Sequence, residues 1–572
     1  MDDKRNLIIF ALIAALVLFG GQFVTDYFFP TANPPATKMV DGKSVPLPSP
    51  TPNTPAPATE TLRPVAAALG GTPRLPVRTP KLQGSIALKG ARIDDLLLTA
   101  YRETIAKNAP AIRLLAPAGT AAARFAGFGW AGERGVAPDS NTVWTADAAE
   151  LVPGKPVTLS WNNGRGVVFA MKISVDDDYM FTVEQSVVNK GAAPVAVQPL
   201  AYHIQRGIST DYSDSWWHTI HTGPTAVFNG AANYDVHFKD ITAAGAAGKG
   251  FGTTGGWLGF NDKYWLTALV PDQQKQIDAA FRVAANDSYQ ADFRAPQAIV
   301  QPGQTSTNTA RFFAGAKEVG VLQGYENKLK IAQFDKAIDW GWFAMIERPI
   351  FWVLDWLFKF TGNFGVAIIL LTVLVRGLMF PIAQRQFASM AGMRAVQPKM
   401  KALQERHKDD KPKLQEEMMK LYREEKVNPI AGCLPLVLQI PIFYALYKVL
   451  MLTIEMRHQP FILWIKDLSA PDPATLLNLF GYLNFTPPHF LAIGVLPVLL
   501  GITMYLQFKL NPQPMDEMQK QVFSLMPWVF MFVMAPFAAG LQLYWTVSNL
   551  LTIAQQKWLY SRHPALKDAA AK

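Results

Sequence analysis

Hydrophobic and polar positions divide this chain into two parts with different periodicities. Between residues 81 and 334, short apolar stretches alternate with polar residues one by one, which is typical of strands with one buried face. From residue 335 to residue 560, long apolar runs are separated by charged segments. The pattern predicts a β domain followed by an α-helical membrane region.

The clearest strand signals of the first part occur in pairs joined by tight turns. Residues 157–161 (VTLSW) alternate, Asn162-Asn163-Gly164 supplies a turn, and the alternation resumes over 166–175. A second hairpin is predicted over 257–270. Because turns this short join antiparallel neighbours, we expect a large antiparallel sandwich over 81–334, with helix confined to about 318–338.

Six apolar runs are candidates for membrane-spanning helices. They cover residues 7–19, 363–383, 430–450, 491–506, 522–536 and 541–559. The net charge is +10, and the loops richest in lysine and arginine fall on one side of this arrangement. Since basic loops stay in the cytoplasm, we expect six spans, both termini inside, and the β domain exported to the outer side.

The segments that flank the two main parts have distinct compositions. Residues 1–29 fit an uncleaved signal anchor, because no small-residue cleavage motif follows the apolar run; a cleaved signal peptide is the alternative. Residues 30–80 are rich in proline, alanine and threonine, which predicts an extended linker. Residues 561–572 are predicted to be a cytoplasmic tail.

Two further segments are amphipathic rather than uniformly apolar. Residues 335–360 combine apolar residues at helical spacing with many aromatics and charges, which indicates a helix lying in the outer membrane interface. A helix packed on the β domain is the alternative. Residues 384–428 carry eleven lysines and arginines against seven acidic residues and predict a cytoplasmic helical hairpin. Its methionine-rich stripe is either the seam between the helices or an adaptable binding surface.

Arg376 is the least expected residue of the membrane region. It lies about 12 residues into its predicted span, where a charge costs at least about 2.5–3.5 kcal/mol. The other spans of the second part contain no aspartate or glutamate that could pair with it. Since the span over 541–559 also carries several polar residues, we expect Arg376 to face water inside the membrane region.

The sequence has no pattern typical of an active site. Intramembrane acid pairs, a G-x-S-x-G motif, H-E-x-x-H and a P-loop are all missing, and the histidines of the β domain are scattered. The sole cysteine, Cys433, excludes an intrachain disulfide. We expect no catalysis and no cofactor, although an anion transporter built on Arg376, or carbohydrate binding at Trp216 and Trp217, remains an open alternative.

Long stretches of the chain resemble the bacterial YidC membrane insertase family in its long Gram-negative form. They are NFGVAIILLTVLVRGLMFPI (363–382), EKVNPIAGCLPLVLQIPIFYALYKVL (425–450), APFAAGLQLYWTVSNLLTIAQQ (535–556) and, in the first part, GWLGFNDKYWLTALVP (256–271). The resemblance implies a multidomain membrane protein: an exported antiparallel β-supersandwich over 81–334 and a six-span helical bundle. Five of those spans form the core over 361–560, around a hydrophilic groove open to cytoplasm and lipid.

The resemblance also implies a site, partners and a location. The groove residues would be Arg376, Gln439, Pro441, Tyr544 and Trp545. The protein would insert and help to fold nascent membrane proteins in the bacterial inner membrane, in contact with lipids. It would work alone or with the Sec translocon, and its hairpin would engage the ribosome and the signal recognition machinery. Sequence-specific nucleic-acid binding is not expected.

Overall fold

The structure is a computed structural model. It describes residues 38–40, 43–45, 62–133, 135–212, 220–341, 343–407, 410–425, 434–475, 477–480, 483, 493–510 and 517–562. The predicted signal anchor, Trp216-Trp217 and Cys433 lie outside these ranges. The chain divides into two compact units, Met1–Trp342 and Phe343–Lys572.

The first unit is built almost entirely of strands. In chain order they are β1 (Lys38–Val40), β2 (Lys43–Val45), β3 (Arg74–Arg78), β4 (Leu82–Ala87), β5 (Arg92–Arg102), β6 (Ala111–Leu115), β7 (Arg124–Gly132), β8 (Thr145–Ala146), β9 (Val157–Asn162), β10 (Val167–Val175), β11 (Met180–Asn189), β12 (Val195–Arg206), β13 (Gly223–Phe228), β14 (Ala231–Asn233), β15 (Lys249–Thr254), β16 (Trp257–Asn261), β17 (Trp265–Val270), β18 (Gln276–Ala284), β19 (Ser288–Arg294), β20 (Ala298–Val300) and β21 (Thr305–Ala316). Its helices are α1 (Val65–Leu69), α2 (Phe238–Ala244), α3 (Val319–Leu329) and a 3₁₀ turn, Phe334–Ala337.

Two large antiparallel sheets confirm the predicted sandwich. One sheet has nine strands in the order β14-β13-β16-β17-β21-β11-β10-β9-β8. The other has ten, with β15-β18-β19-β12-β7-β5-β4-β3 in order, β20 beside β12 and β6 beside β5. Both predicted hairpins are present, as β9–β10 and β16–β17. Their alternating apolar residues, such as Phe169, Met171 and Ile173 on β10, are buried.

Aromatic side chains from both sheets form the sandwich core. Phe260 on β16 lies 6.1 Å, ring centre to ring centre, from Phe281 on β18 in the other sheet. His203 on β12 lies 5.3 Å from Phe260 and 5.5 Å from Phe312. The faces of the two sheets therefore interdigitate, as in sheet-on-sheet packing.

The sandwich begins before the predicted boundary at residue 81. Strand β3 pairs with β4, and its Leu75 and Val77 are buried. The predicted linker over 30–80 is therefore wrong at its end. Pro76 argued against a strand in the sequence, because proline disrupts central strands. Strand β3 lies at an edge of the sheet, where proline is tolerated because it removes no ladder hydrogen bond. The short β1–β2 hairpin also falls inside the predicted linker.

The second unit is helical among its described residues. Its helices are α4 (Ala344–Thr361), α5 (Phe364–Leu378), α6 (Phe380–Arg406), α7 (Lys411–Glu424), α8 (Leu434–Leu452), α9 (Val495–Leu510), α10 (Glu517–Met534) and α11 (Ala539–Arg562), with a 3₁₀ turn, Ile454–Met456. Helix α4 packs on α5 and α8, while α11 packs on α5 and α9. Helices α6 and α7 form the predicted hairpin, with Val396, Met400 and Leu421 buried in its seam.

The predicted interfacial helix begins nine residues later than expected. Residues up to 342 belong to the first unit, where Phe334 and Trp340 are buried and Asn261 donates a hydrogen bond to the Ala337 carbonyl. Trp340, which the predicted helix over 335–360 includes, instead completes the core of the β unit. The described packing partners of α4 are helices of the second unit.

The helices of the second unit differ in extent from the predicted spans. In the described ranges, none of them unites the length and the apolar content that a membrane crossing requires. The run over 363–383 is interrupted, because α5 ends at Leu378 and Pro381 occupies the first turn of α6. The structure therefore does not confirm the six-span bundle. Helix α11 also continues to Arg562, beyond the predicted start of the tail.

Candidate functional site

Arg376 lies in the last turn of α5 and makes its hydrogen bonds with α11. Its Nε and Nη2 atoms both donate to Ser548 Oγ, at 3.1 and 2.6 Å. Ser548 is buried, whereas the arginine is only partly so. In the described part of the chain, the hydrogen-bond partner of the Arg376 guanidinium is Ser548 and not a carboxylate.

Tyr544 and Gln439 extend this arrangement to a third helix. Tyr544 precedes Ser548 by one turn of α11, and the two side chains interact. The Nε2 of Gln439, on α8, donates to the Tyr544 hydroxyl at 3.3 Å. Arg376, Gln439, Tyr544 and Ser548 therefore form one polar cluster that joins α5, α8 and α11. Tertiary packing brings together three of the five residues predicted from the sequence.

Trp545 belongs to a neighbouring apolar cluster. Its ring centre lies 4.0 Å from that of Phe443 on α8 and 4.5 Å from that of Phe530 on α10. These aromatic contacts connect three helices beside the polar cluster. Pro441, the fifth predicted residue, lies inside α8, two positions after Gln439. There its ring removes one backbone donor from the helix.

Other polar residues of α11 are satisfied by the protein. The hydroxyls of Thr546 and Thr552 donate to carbonyls one turn earlier in the same helix. Asn549 donates to Thr503 on α9 at 3.2 Å. The polar character of the last predicted span is therefore used in part within the protein. The bond of Asn549 connects α11 to α9, whereas those of the two threonines lie within α11.

Ser548 is the member of the polar cluster whose role sequence reasoning missed. It was one of several polar residues on the last predicted span, and no local pattern distinguishes it from Thr546 or Thr552. Its spacing of four from Tyr544, which places both side chains on one helix face, was the available signal. Only the packing of α5 against α11 identifies Ser548 as the partner of the arginine.

The polar cluster has the chemistry of an anion site rather than of a catalytic centre. A guanidinium carries five N–H donors, and Ser548 receives only two of them. The Nη1 group has no protein partner in the described ranges and is not sealed from solvent. Across those same ranges, no group of three histidine, cysteine, aspartate or glutamate side chains could hold a metal ion. The cluster can therefore bind water or an acidic group without a cofactor.

Comparison with known proteins gives matches over both units. The family model described as YidC periplasmic domain matches residues 74–353, and the one described as 60Kd inner membrane protein matches 356–566. A membrane protein insertase YidC of Zymomonas mobilis is 52% identical over 98% of this chain and 96% of its own length. One of Methylorubrum extorquens is 44% identical, with the same shares covered.

A solved structure is similar at lower identity. It is an active YidC insertase with its first transmembrane domain resolved, 18% identical, with a TM-score of 0.36 over 95% of this chain and 98% of that one. The assignment follows from the sequence relatives, which match both units at full length. The chain belongs to the YidC family of membrane protein insertases, whose activity is to insert membrane proteins and not to catalyse a chemical reaction.

Proposed function

We propose that this protein inserts new membrane proteins along the polar cluster of Arg376, Gln439, Tyr544 and Ser548, which forms a hydrophilic groove open to cytoplasm and lipid. The proposal includes insertion alone or beside the Sec translocon, and assistance in folding. The observation that carries it is the position of Arg376, hydrogen-bonded on one side to Ser548 and with Nη1 accessible on the other.

Arg376 supplies attraction for a polar segment that must cross the membrane. When an acidic group enters a region of low dielectric, its free energy rises, and the fixed positive charge of Arg376 makes this rise smaller than it would be in lipid. Ser548 keeps the guanidinium oriented while leaving donors for the incoming carboxylate. The apolar helix that follows then moves sideways into lipid, where burial of about 20 apolar residues supplies the driving force.

Pro441 and Trp545 give the route two further properties. Proline inside α8 removes the backbone donor that would bond the carbonyl one turn earlier, so that water or a polar segment can contact this carbonyl instead. The ring of Trp545, packed between Phe443 and Phe530, presents an apolar surface next to the polar cluster. A substrate with one polar and one apolar segment could place the polar segment along the polar cluster and the apolar segment against Trp545.

We also propose six spans in the bacterial inner membrane, with both termini in the cytoplasm and the β unit in the periplasm. The distribution of basic residues supports this topology. Helix α4 would lie in the outer interface through the exposed side chains of Met345, Trp352, Trp356 and Phe360, whose chemistry suits a headgroup boundary. The α6–α7 hairpin would contact the ribosome and the signal recognition machinery.

Purified protein in liposomes would test the groove. A newly synthesised two-span protein with a short acidic external loop is added, and protection of that loop from protease is measured. We expect Arg376→Ala to reduce protection of the acidic loop at least tenfold, which corresponds to a loss of about 1.4 kcal/mol of attraction. Protection of a neutral loop should fall about twofold or less. Equal insertion of both loops by wild type and variant would exclude capture by charge.

Ser548→Ala and Thr552→Ala form a matched pair for the same assay. Both remove one hydroxyl from α11, but that of Thr552 bonds only its own helix backbone. We expect Ser548→Ala to lower insertion of the acidic loop severalfold, because the guanidinium is no longer oriented, and Thr552→Ala to have little effect. Identical behaviour of the two variants would contradict the role given to Ser548.

A further inference from the structure

The segment between α8 and α9 presents apolar side chains at two turns. In the first turn, Ile462 is 53% exposed and Leu463 is 79% exposed. In the second turn, Leu477, Leu479 and Phe480 are 47%, 54% and 49% exposed. Single exposed apolar residues are ordinary, whereas groups of them mark sites of interaction. These two groups are called the first and the second apolar tip below.

Three residues of the tips have a backbone conformation that bulky side chains disfavour. The φ angles of Leu463, Leu479 and Phe480 are +54°, +49° and +59°, in the left-handed region. In the first tip, a hydrogen bond from the Ile465 amide to the Ile462 carbonyl, at 3.1 Å, closes the turn. Glycine would suit such a position better if folding alone determined the residue. An exposed leucine there indicates a role for the side chain itself.

The first tip is the end of a short, closed hairpin. The Phe461 amide donates to the Ile465 carbonyl, and the Leu468 amide donates to the Gln459 carbonyl, both at 2.9 Å. Ile465 is buried beneath the tip. The backbone therefore holds the apolar side chains of the first tip outward, and they have no room in the interior that the hairpin covers.

Hydrogen bonds through Asp472 connect the second tip to the first. Trp464, which follows the first tip, donates from Nε1 to Asp472 Oδ1 at 3.0 Å, and the Ala474 amide donates to the same oxygen at 3.0 Å. The Phe480 amide then donates to the carbonyl of Thr475, the residue after Ala474, at 2.8 Å. The two tips are therefore parts of one fixed surface.

Lipid is the partner that best fits this surface. The chain belongs to a family of membrane protein insertases, so its helical unit works in a membrane. The Asn363 side chain, just after α4, donates to the Phe461 carbonyl at the base of the first tip, at 3.1 Å. The last turn of α4 exposes Phe360, and Lys466, three residues after the first tip, is exposed as well. Apolar side chains beside a cation suit the boundary between acyl chains and phosphate headgroups.

We propose that both apolar tips insert their side chains into the outer leaflet of the membrane, next to the exposed aromatic residues of α4. This inference rests on the topology proposed above, which places the segment between α8 and α9 on the outer side. Transfer of the leucine and phenylalanine side chains from water to lipid offsets their unfavourable backbone conformation. A second copy of the chain on the same surface is the alternative that the test distinguishes.

Spin labels would measure the depth of the tips in purified full-length protein. The protein, with Cys433→Ser, carries Leu463→Cys or Leu479→Cys and is reconstituted in vesicles of phosphatidylethanolamine and phosphatidylglycerol. Collisions of the nitroxide with oxygen, which concentrates in lipid, are compared with collisions with a water-soluble nickel complex. We expect oxygen to dominate about threefold or more at both tips, because they lie among acyl chains. Ile299→Cys, at an exposed apolar residue of the β unit, should show the reverse.

A label at Leu374→Cys separates this inference from the proposed topology, because Leu374 is exposed on α5. If the Leu374 label is in lipid and the tip labels are in water, the tips do not insert and this inference alone is wrong. If the Leu374 label is also in water, the topology is wrong and the inference fails with it. Tip labels that neither reagent reaches would indicate a contact between copies of the chain and would overturn insertion into lipid.

Leu463→Gly tests the side chain separately from the backbone. Because glycine suits a φ of +54°, the variant should unfold in detergent at the same or a higher denaturant concentration. In vesicles, the label at Leu479→Cys should nevertheless become about twofold more accessible to the nickel complex, since the first tip no longer holds the surface in lipid. Ile299→Gly should leave that label unchanged. An unchanged Leu479 label in the Leu463→Gly variant would overturn insertion of the two tips as one surface.

Discussion

His203 is held neutral in the interior of the β sandwich. Its Nδ1 donates to the Phe125 carbonyl at 3.0 Å, so Nε2 is the acceptor and receives the Thr267 hydroxyl at 2.8 Å. The bond with Thr267 connects β12 of one sheet to β17 of the other. Burial lowers the pKa of His203 to about 3. The histidine is therefore a structural residue, as expected for the scattered histidines of this unit.

The first unit should lose stability as the pH falls below about 6.5. The unfolded chain binds a proton at His203 near the ordinary pKa of 6.5, whereas the folded chain does not until about pH 3. The stabilisation is complete above 6.5, and its loss approaches about 1.4 kcal/mol per pH unit in that window. Urea unfolding followed by hydrogen exchange of β12 should show this slope, and His203→Gln should reduce it. An equal slope in both proteins would contradict the assignment.

Arg124 and Asp262 form a buried ion pair in the same unit. Arg124 Nη1 lies 2.6 Å from Asp262 Oδ2, and the arginine holds the pKa of that carboxyl below its usual value despite burial. Arg124 also donates to Gln205. Because both partners are desolvated, removing one leaves the other charge uncompensated.

Arg124→Met should destabilise the β unit by about 3–5 kcal/mol. Arg78→Met is the matched control, because Arg78 pairs with Glu150 at the surface, where its side chain is 72% exposed and the pair contributes less than about 1 kcal/mol. Denaturant midpoints of the two variants would be compared by near-ultraviolet circular dichroism. Similar midpoints would show that the buried pair contributes no more than the exposed one.

At the scale of elements, the segment between α8 and α9 holds together several helix ends. Asp472 is buried and accepts hydrogen bonds from the Leu496 amide at 2.7 Å and from Trp464 Nε1 at 3.0 Å. The amides of Ala539 and Gly540, at the start of α11, donate to the carbonyls of Ala470 and Leu468. One loop therefore satisfies donors at the N-termini of α9 and α11, which would otherwise be unpaired.

Asp472→Ala should destabilise the second unit by about 1–3 kcal/mol, because buried donors of Leu496 and Trp464 lose their acceptor. Limited proteolysis over residues 457–475 should become faster than in wild type. Asp467→Ala is a control in the same loop, since its side chain bonds within the loop, to Ser469. Faster cleavage of the Asp467 variant than of the Asp472 variant would refute the capping role.

At the scale of the whole molecule, the chain has two compact units with separate cores. The first is held by sheet-on-sheet packing of aromatic residues, and the second by contacts among helices. Units with separate cores can each unfold in a cooperative transition of their own.

Unfolding in detergent should therefore show two transitions. Arg124→Met should shift only the transition of the β unit, and Asp472→Ala only that of the helical unit, because each removes a contact within one unit. Hydrogen exchange with mass spectrometry resolves the two sets of peptides. If either variant moves both transitions together, the units unfold as one cooperative body and this prediction is wrong.

Local periodicity was sufficient to determine much of this protein. Alternation in 157–175 and 257–270 predicted both hairpins, because a strand at the surface of a core must bury every second residue. The composition of 384–428 predicted the α6–α7 hairpin, and its apolar stripe had two interpretations, of which the structure shows Val396, Met400 and Leu421 buried in the seam. A charge inside an apolar run identified Arg376, and the long family stretches identified the insertase.

Tertiary structure decided what depends on neighbours far away in the chain. Pro76 is compatible with a strand only because β3 lies at a sheet edge. Trp340 belongs to the β unit because its side chain is buried in the core of that unit. The partner of Arg376 lies 172 residues away in sequence, and only the packing of α5 against α11 brings the two side chains together. Local sequence determines which face of an element is apolar, whereas the packing of elements determines what that face meets.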